Sequence, residues 1–275
     1  MLARFFHYKE KHNRMKLKII YPAIALLIMA ASPVFPQKPG AAYKPGEKVT
    51  YMIHYGMVNA GVTTLSVSDD TLLGKKVWHL LMDAKTIGVA DALYKIRDKY
   101  ESFVDPVTEL PVKSIRNISE GRYRKYNEVM FDRTTRADSA ILLSDLTGTH
   151  VTEQGIHDIL SCFYWFRNKF MTSASVFKKG QVVTINTWFS DEFYPVSLRY
   201  DGMEEVKTKS GRIMCHRFLP VTEVGRVFES EDDMTVWFSA DKNYLPVKIR
   251  FDIFVGSVTV NLTGYEGLAY PLEIK

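Results

Sequence analysis

The sequence predicts a mainly β protein: a large antiparallel sheet curled into a barrel or part-barrel, with one amphipathic helix packed on or in it. Three observations carry this. Apolar and polar residues alternate in about a dozen short runs separated by turn signals, the pattern of a sheet with one buried face. The composition, 46% hydrophobic with 15 Tyr and 16 Phe, favours strands over helices and lies well clear of disordered chains. The chain also echoes itself. Phe103 precedes Leu110-Pro111-Val112-Lys113 by seven residues, and Phe238 precedes Leu245-Pro246-Val247-Lys248 by the same interval. Gly74-Lys75-Lys76-Val77-Trp78-His79 is matched by Gly211-Arg212-Ile213-Met214-Cys215-His216 at nearly the same offset. Echoes in the same order suggest two related halves, about 47–133 and 181–264.

The first segment reads as a leader. Arg4, Lys9, Lys11, Arg14, Lys16 and Lys18 stand against a single acid, Glu10, before the apolar run from Ile19 to Ala31. That run has the length of a signal-peptide core and is too short to span a bilayer comfortably. Residues 1–36 are therefore expected to be a secretory signal, with Met15 an alternative start, and 37–46 a linker. No transmembrane span is expected after processing. No cysteine follows the apolar run, so the protein is not expected to be a lipoprotein. The formal charge of +5 resides in the leader, which leaves a near-neutral body and no electrostatic case for nucleic acid.

Within the body, Val49 to Tyr55 and Ala60 to Ser68 flank Gly56-Met57-Val58-Asn59 as a hairpin. Strands follow at Val77 to Ala84, Asp98 to Val104, Val112 to Ile118 and Tyr123 to Phe131, punctuated by Asp105-Pro106 and Leu110-Pro111. A second set runs Val182 to Phe189, Val196 to Tyr200, Glu204 to Lys209, Ile213 to Val221, Met234 to Phe238, Val247 to Val255 and Ser257 to Leu262. Residues 134–154 are polar and turn-rich, a long loop with room for one strand at Ala140 to Leu143. From Gly155 to Met171, Ile156, Ile159, Leu160, Phe163, Phe166 and Phe170 recur at helical spacing. A shorter piece, Thr86 to Lys95, reads as a helical turn over the rim.

The chemistry-bearing residue types form no recognisable catalytic constellation. His54, His79, His150, His157 and His216 show no paired spacing for zinc, and the two cysteines, Cys162 and Cys215, read as separate buried thiols. No Gly-x-Ser-x-Gly elbow or Gly-rich phosphate loop occurs. The acidic clusters lie in turns, and Arg122-Tyr123-Arg124-Lys125-Tyr126 reads as an exposed strand face, with a lipid headgroup or acidic glycan as its alternative use. No enzyme, cofactor or metal is expected.

Gly46-Glu47-Lys48-Val49-Thr50-Tyr51, Tyr55-Gly56, Ala60-Gly61, Asp158-Ile159-Leu160-Ser161 and Val236-Trp237-Phe238-Ser239-Ala240-Asp241 together resemble the bacterial exported family called domain of unknown function 3108, over about Pro45 to Leu262. The resemblance implies a fold but no activity. A weaker similarity in strand order, curled sheet and capping helix links the chain to periplasmic lipoprotein carriers of the LolA and LolB type, which implies a concave apolar surface.

The expected function is a non-enzymatic periplasmic protein that holds a hydrophobic or lipid-like ligand, such as an acyl chain, in its concave sheet. Phe163, Trp165, Phe166 and Phe170 would be wall or lid residues, and Ile87, Val89 and Leu93 rim residues. The alternative is an envelope protein-protein interaction module with a filled core. An enclosed apolar volume of several hundred Å³ would favour the first.

Overall fold

The computed structural model describes residues 40–170, 177–221, 234–252 and 256–275. The predicted signal and the start of the linker lie outside the described residues. The rest of that linker is not a linker: Ala41, Ala42 and Tyr43 are fully buried.

Among the described residues the body is a fifteen-stranded sheet. Outward from the first strand run β1 (Lys48–Tyr55), β2 (Val58–Leu72), β3 (Lys75–Thr86), β4 (Arg97–Val104), β5 (Pro111–Glu120), β6 (Tyr123–Asp132), β7 (Ser139–Ser144) and β8 (Gly148–Glu153). A short helix, α1 (Gly88–Leu93), sits between β3 and β4. After β8 the chain crosses through β9 (His157–Asp158), α2 (Ile159–Trp165) and a π-helical turn over Phe166–Phe170. It returns through β10 (Val182–Phe189), β11 (Glu192–Thr208), β12 (Gly211–Pro220), β13 (Met234–Ser239), β14 (Pro246–Asp252) and β15 (Ser257–Glu266), which pairs with β1. Every pairing is antiparallel except β9 with β10. First and last strands therefore meet in the middle of the strip, and its free ends are β8 and β9.

The two ends overlap rather than join. Along β10, Ile185 and Phe189 face inward, so Trp188 points to the other face. Trp188 packs against Val129, Phe131, Ala140 and Leu142, on the inner face of β6 and β7, and against Ile156, just before β9. His150 of β8 contacts the same indole at 4.8 Å, and Asn186 donates to Glu153 at 2.7 Å. The strip is thus a spiral, with β8 outside and β10 inside. This arrangement buries the unpaired edge at β9, which would otherwise be a template for association.

The sequence-derived elements need three corrections. Residues 134–154 hold two strands, β7 and β8, not a long loop; β8 is an edge strand with few buried residues, so its alternation is weak. Val196 to Tyr200 and Glu204 to Lys209 belong to one strand, β11. Its Asp201-Gly202 is a bulge with Gly202 at φ 108, not a turn. The central helix starts at Ile159, not Gly155, and is shorter than the apolar periodicity implied. Asp158 caps it, accepting from the amides of Leu160 and Ser161 at 2.9 and 3.1 Å, while the Ser161 hydroxyl accepts from the Asp158 amide at 3.1 Å. That reciprocal cap fixes the start.

The echoed residues occupy matching places. His79 stands opposite Phe103 across β3 and β4, and His216 opposite Phe238 across β12 and β13. Glu109 and Tyr244, each just before Leu-Pro-Val-Lys, both adopt left-handed backbone, at φ 63 and 46. Bulges follow at corresponding points of the next pairing, displaced by one residue.

One end of the spiral is plugged. Leu160 and Tyr164 of α2 pack with Tyr43, Val49, Tyr51, Trp78, Leu80, Val104 and Leu245. Beneath them Arg167 is fully buried and bidentate to Glu47, at 2.7 and 3.0 Å, with further bonds to the carbonyls of Asn243 and Ala42. Asn168 extends the network to the Ala42 amide and the Glu109 carboxylate. Gly267 closes the same end: its φ is 65, and a Cβ there would fall on the Gly46 carbonyl.

Candidate functional site

Above the plug the spiral encloses a chamber of about 430 Å³. Its walls come from the inward positions of seven strands. Tyr51 and Ile53 of β1, Thr63 and Leu65 of β2, Met82 and Ala84 of β3, and Tyr100 of β4 form one side. Phe189 of β10, Ile249 and Phe251 of β14, and Val260 of β15 form the other. Ile159, Leu160 and Phe163 of α2 form the floor. The lining is almost wholly apolar, because alternate residues of each strand point one way and these are the apolar ones. Two polar atoms interrupt it. The Tyr51 hydroxyl and Thr63 Oγ1, directly opposite each other across β1 and β2, have no hydrogen-bond partner among the described residues.

An apolar void of this volume, if sealed and dry, would cost on the order of 10 kcal/mol, comparable with the whole stability of a domain. The chamber is instead not sealed, and Ile53, Ala84, Phe189 and Phe251 stand near the strand ends away from the plug.

Of the residues expected to form a site, Phe163 lines the chamber. Phe166 does not: it is buried to 2% exposure and packs edge-on against Phe218 at 5.4 Å and against Phe238 at 5.2 Å. Trp165 belongs to the same second core, against the β10 to β13 side, and its ring meets His157 at 5.5 Å. The reason is position on the helix: Phe163 turns into the chamber floor, whereas Phe166, in the π-helical turn, faces the β10 to β13 side. The Phe170 side chain lies outside the described residues. Ile87, Val89 and Leu93 do not line the chamber either. Val89 and Leu93 are exposed at 69% and 82% on α1, beyond its mouth, near Met57 at 98%. Arg97 anchors this helix, holding Asp91 at 2.6 and 3.2 Å, which keeps the Asp91 carboxyl down to about 2. Sequence reading missed the strand-borne lining, Ala84, Tyr100, Phe189 and Phe251 above all. Only the inward register could have found it.

Burial shifts several titratable groups around α2 and the second core. Burial pushes the Cys162 thiol well up and Cys215 up to about 12, and both are free thiols. Burial, aided by Arg133, pulls His157 down to about 3. Burial raises Asp158, against the hydrogen bonds from Ser102, Ser161 and Leu160. His79 is paired with Glu101 at 2.7 Å and stacks on Phe103, and His216 sits against Tyr200. No cluster of three metal-ligating side chains occurs among the described residues.

A pH dependence follows from His157. Its depressed value means that the unfolded chain takes up a proton that the native state refuses. The stabilisation it gives is complete above about pH 6.5 and is lost on acidification toward about pH 3. The slope reaches about 1.4 kcal/mol per pH unit. Asp158, raised, acts with the opposite sign. Chemical denaturation between pH 7 and 4 is therefore expected to show a steeper acid loss in the wild type than in His157→Gln. Parallel curves would contradict this.

The model of the family described as "Protein of unknown function (DUF3108)" matches residues 50–263. The chain belongs to that family. None of the curated proteins matches this DUF3108 member. Among solved structures it is similar to a beta-barrel-like protein of domain of unknown function DUF1849 from Brucella abortus. That match has a TM-score of 0.53 and 8% identity, covering 82% of this chain and 98% of the other. A DUF1089 family protein from Pseudomonas aeruginosa aligns at TM-score 0.29 and 10% identity, over 72% of this chain and 87% of the other. The Brucella protein supports the fold, a curled beta-barrel-like sheet, and nothing more. No helix among the described residues is long and apolar enough to cross a membrane.

Proposed function

We propose that this DUF3108 protein is a non-enzymatic, exported binding protein that holds a hydrophobic or lipid-like molecule in the chamber above α2. The chamber itself carries the reading: about 430 Å³ of apolar-walled space, plugged at one end and not sealed, falls in the range of small-molecule pockets. A methylene occupies about the volume of a liquid water, roughly 30 Å³, so the space takes on the order of a dozen chain carbons. The basic and apolar leader supports export to the periplasm.

Mass spectrometry of lipid extracts from protein purified out of its native envelope tests both parts. A stoichiometric lipid on a chain beginning between about Ala31 and Ala41 is expected. A lipid-free protein that retains Met1 or Met15 would overturn the reading. The second reading, an envelope interaction module, rests on the apolar rim of Val89, Leu93 and Met57. It would take precedence if the chamber stayed empty under every lipid offered.

A further inference from the structure

We propose that the ligand is an anionic single-chain amphiphile whose head group is held by Arg116 at the overlap of the spiral, with its chain in the chamber; this deepens the preceding reading and rests on it. Arg116 lies on the inner face of β5, opposite Tyr100 on one side and Asn127 on the other. Its guanidinium sits over the Phe189 ring at 4.4 Å and the Tyr100 ring at 5.6 Å. Both rings are chamber walls. The cation therefore stands where the chamber wall meets the overlap between β5 and β10.

Its charge is not neutralised there. Arg167 is bidentate to Glu47 and Arg97 to Asp91, whereas among the described residues Arg116 has no carboxylate within ion-pair distance. Its hydrogen bonds go to neutral groups, the Ser190 hydroxyl at 2.8 Å and the Tyr100 hydroxyl. Its Nε is buried without a hydrogen-bond partner, and so is Nε1 of Trp188. Arg116, Trp188 and Ser190 line one small cleft, which shares Tyr100, Ile159 and Phe189 with the chamber. Donors thus converge beside an apolar volume.

Two acids, Glu101 and Asp158, line the same cleft, and each is already engaged by donors of its own. Asp158 is occupied by Ser102 and the α2 amides, Glu101 by His79, and Asp191 faces Asn127 at 3.3 Å. A buried donor without an acceptor is costly. A carboxylate or phosphate oxygen at Arg116 Nε would satisfy it with a charge-assisted bond. The chamber lining holds no ionised group for a charged head to meet deeper in, which sets the head outward and the chain inward.

The test is a calorimetric comparison of tetradecanoate, tetradecyl phosphate and tetradecanol, three probes with the same chain. Wild-type protein is expected to prefer both anions to the alcohol by about ten- to a hundredfold, the span of a charge-assisted hydrogen bond. In Arg116→Gln that ratio should collapse toward one, and in Arg116→Lys, which keeps the charge, it should partly survive. Thermal melts of each variant show whether the fold is retained. A preference for tetradecanoate alone would assign a carboxylate head, and one for the phosphate alone a phosphate head. If all three probes bind equally to the wild type, or the ratio survives Arg116→Gln, the head-group assignment is wrong while the chamber reading stands. If none binds, both fail.

Discussion

Glu47→Ala is expected to destabilise the protein by about 3–5 kcal/mol, because it strands a buried guanidinium. Arg167 is 1% exposed and its partner is as deeply covered. Two of its hydrogen bonds end on the Glu47 carboxylate and the others on the carbonyls of Asn243 and Ala42. This pair ties the chain just before β1 to the end of α2, so its loss loosens the plug beneath the chamber. The double variant Glu47→Leu with Arg167→Leu should cost much less than the sum of the two single changes, since it leaves no unpaired charge. Denaturant midpoints of the three variants measure this. Additive losses would show that the two side chains act independently.

Phe166→Ala is the second large effect. Phe166 is buried among Phe218, Phe238 and Cys162, and truncation of such a side chain costs about 3–5 kcal/mol. Phe163→Ala removes a ring that already has the chamber on one side, so fewer packing contacts are lost and the destabilisation is smaller. The same pair should separate in the opposite order for ligand retention, with Phe163→Ala losing more bound lipid. Denaturation beside lipid quantification checks both orders. Equal destabilisation with equal retention would make α2 ordinary core along its whole length.

The architecture was legible because a sheet with one buried face writes itself into alternate residues. Val49, Tyr51 and Ile53 announce β1, and Asp105-Pro106 and Leu110-Pro111 mark a chain reversal. What failed was local. The Asp201-Gly202 pair reads as a turn, yet a glycine with positive φ also makes a bulge, and only the pairing partner distinguishes them. The start of α2 was set by the Asp158 and Ser161 cap, against an apolar periodicity that runs on to Ile156.

The site was much less legible than the fold. Helical spacing groups Phe163, Trp165 and Phe166 together, whereas their separation into floor and core depends on the rotation of α2 and the π-helical turn that follows it within the spiral. The lining residues are ordinary strand residues until register brings seven strands around one volume. Arg116 looks like any strand arginine in sequence. Its position at the overlap exists only because the strip winds past itself.

The central claim is that the chamber is a ligand site rather than a packing gap. Its most direct test is native mass spectrometry of the wild type and of Ala84→Trp, each incubated with tetradecanoate. Ala84 lines the chamber near the strand ends away from the plug, so an indole there would fill the space that the chain needs. The expected result is a one-to-one adduct on the wild type and none on the variant, with a denaturant midpoint for Ala84→Trp at or above that of the wild type. An adduct of equal abundance on both proteins would place the ligand elsewhere and contradict the claim.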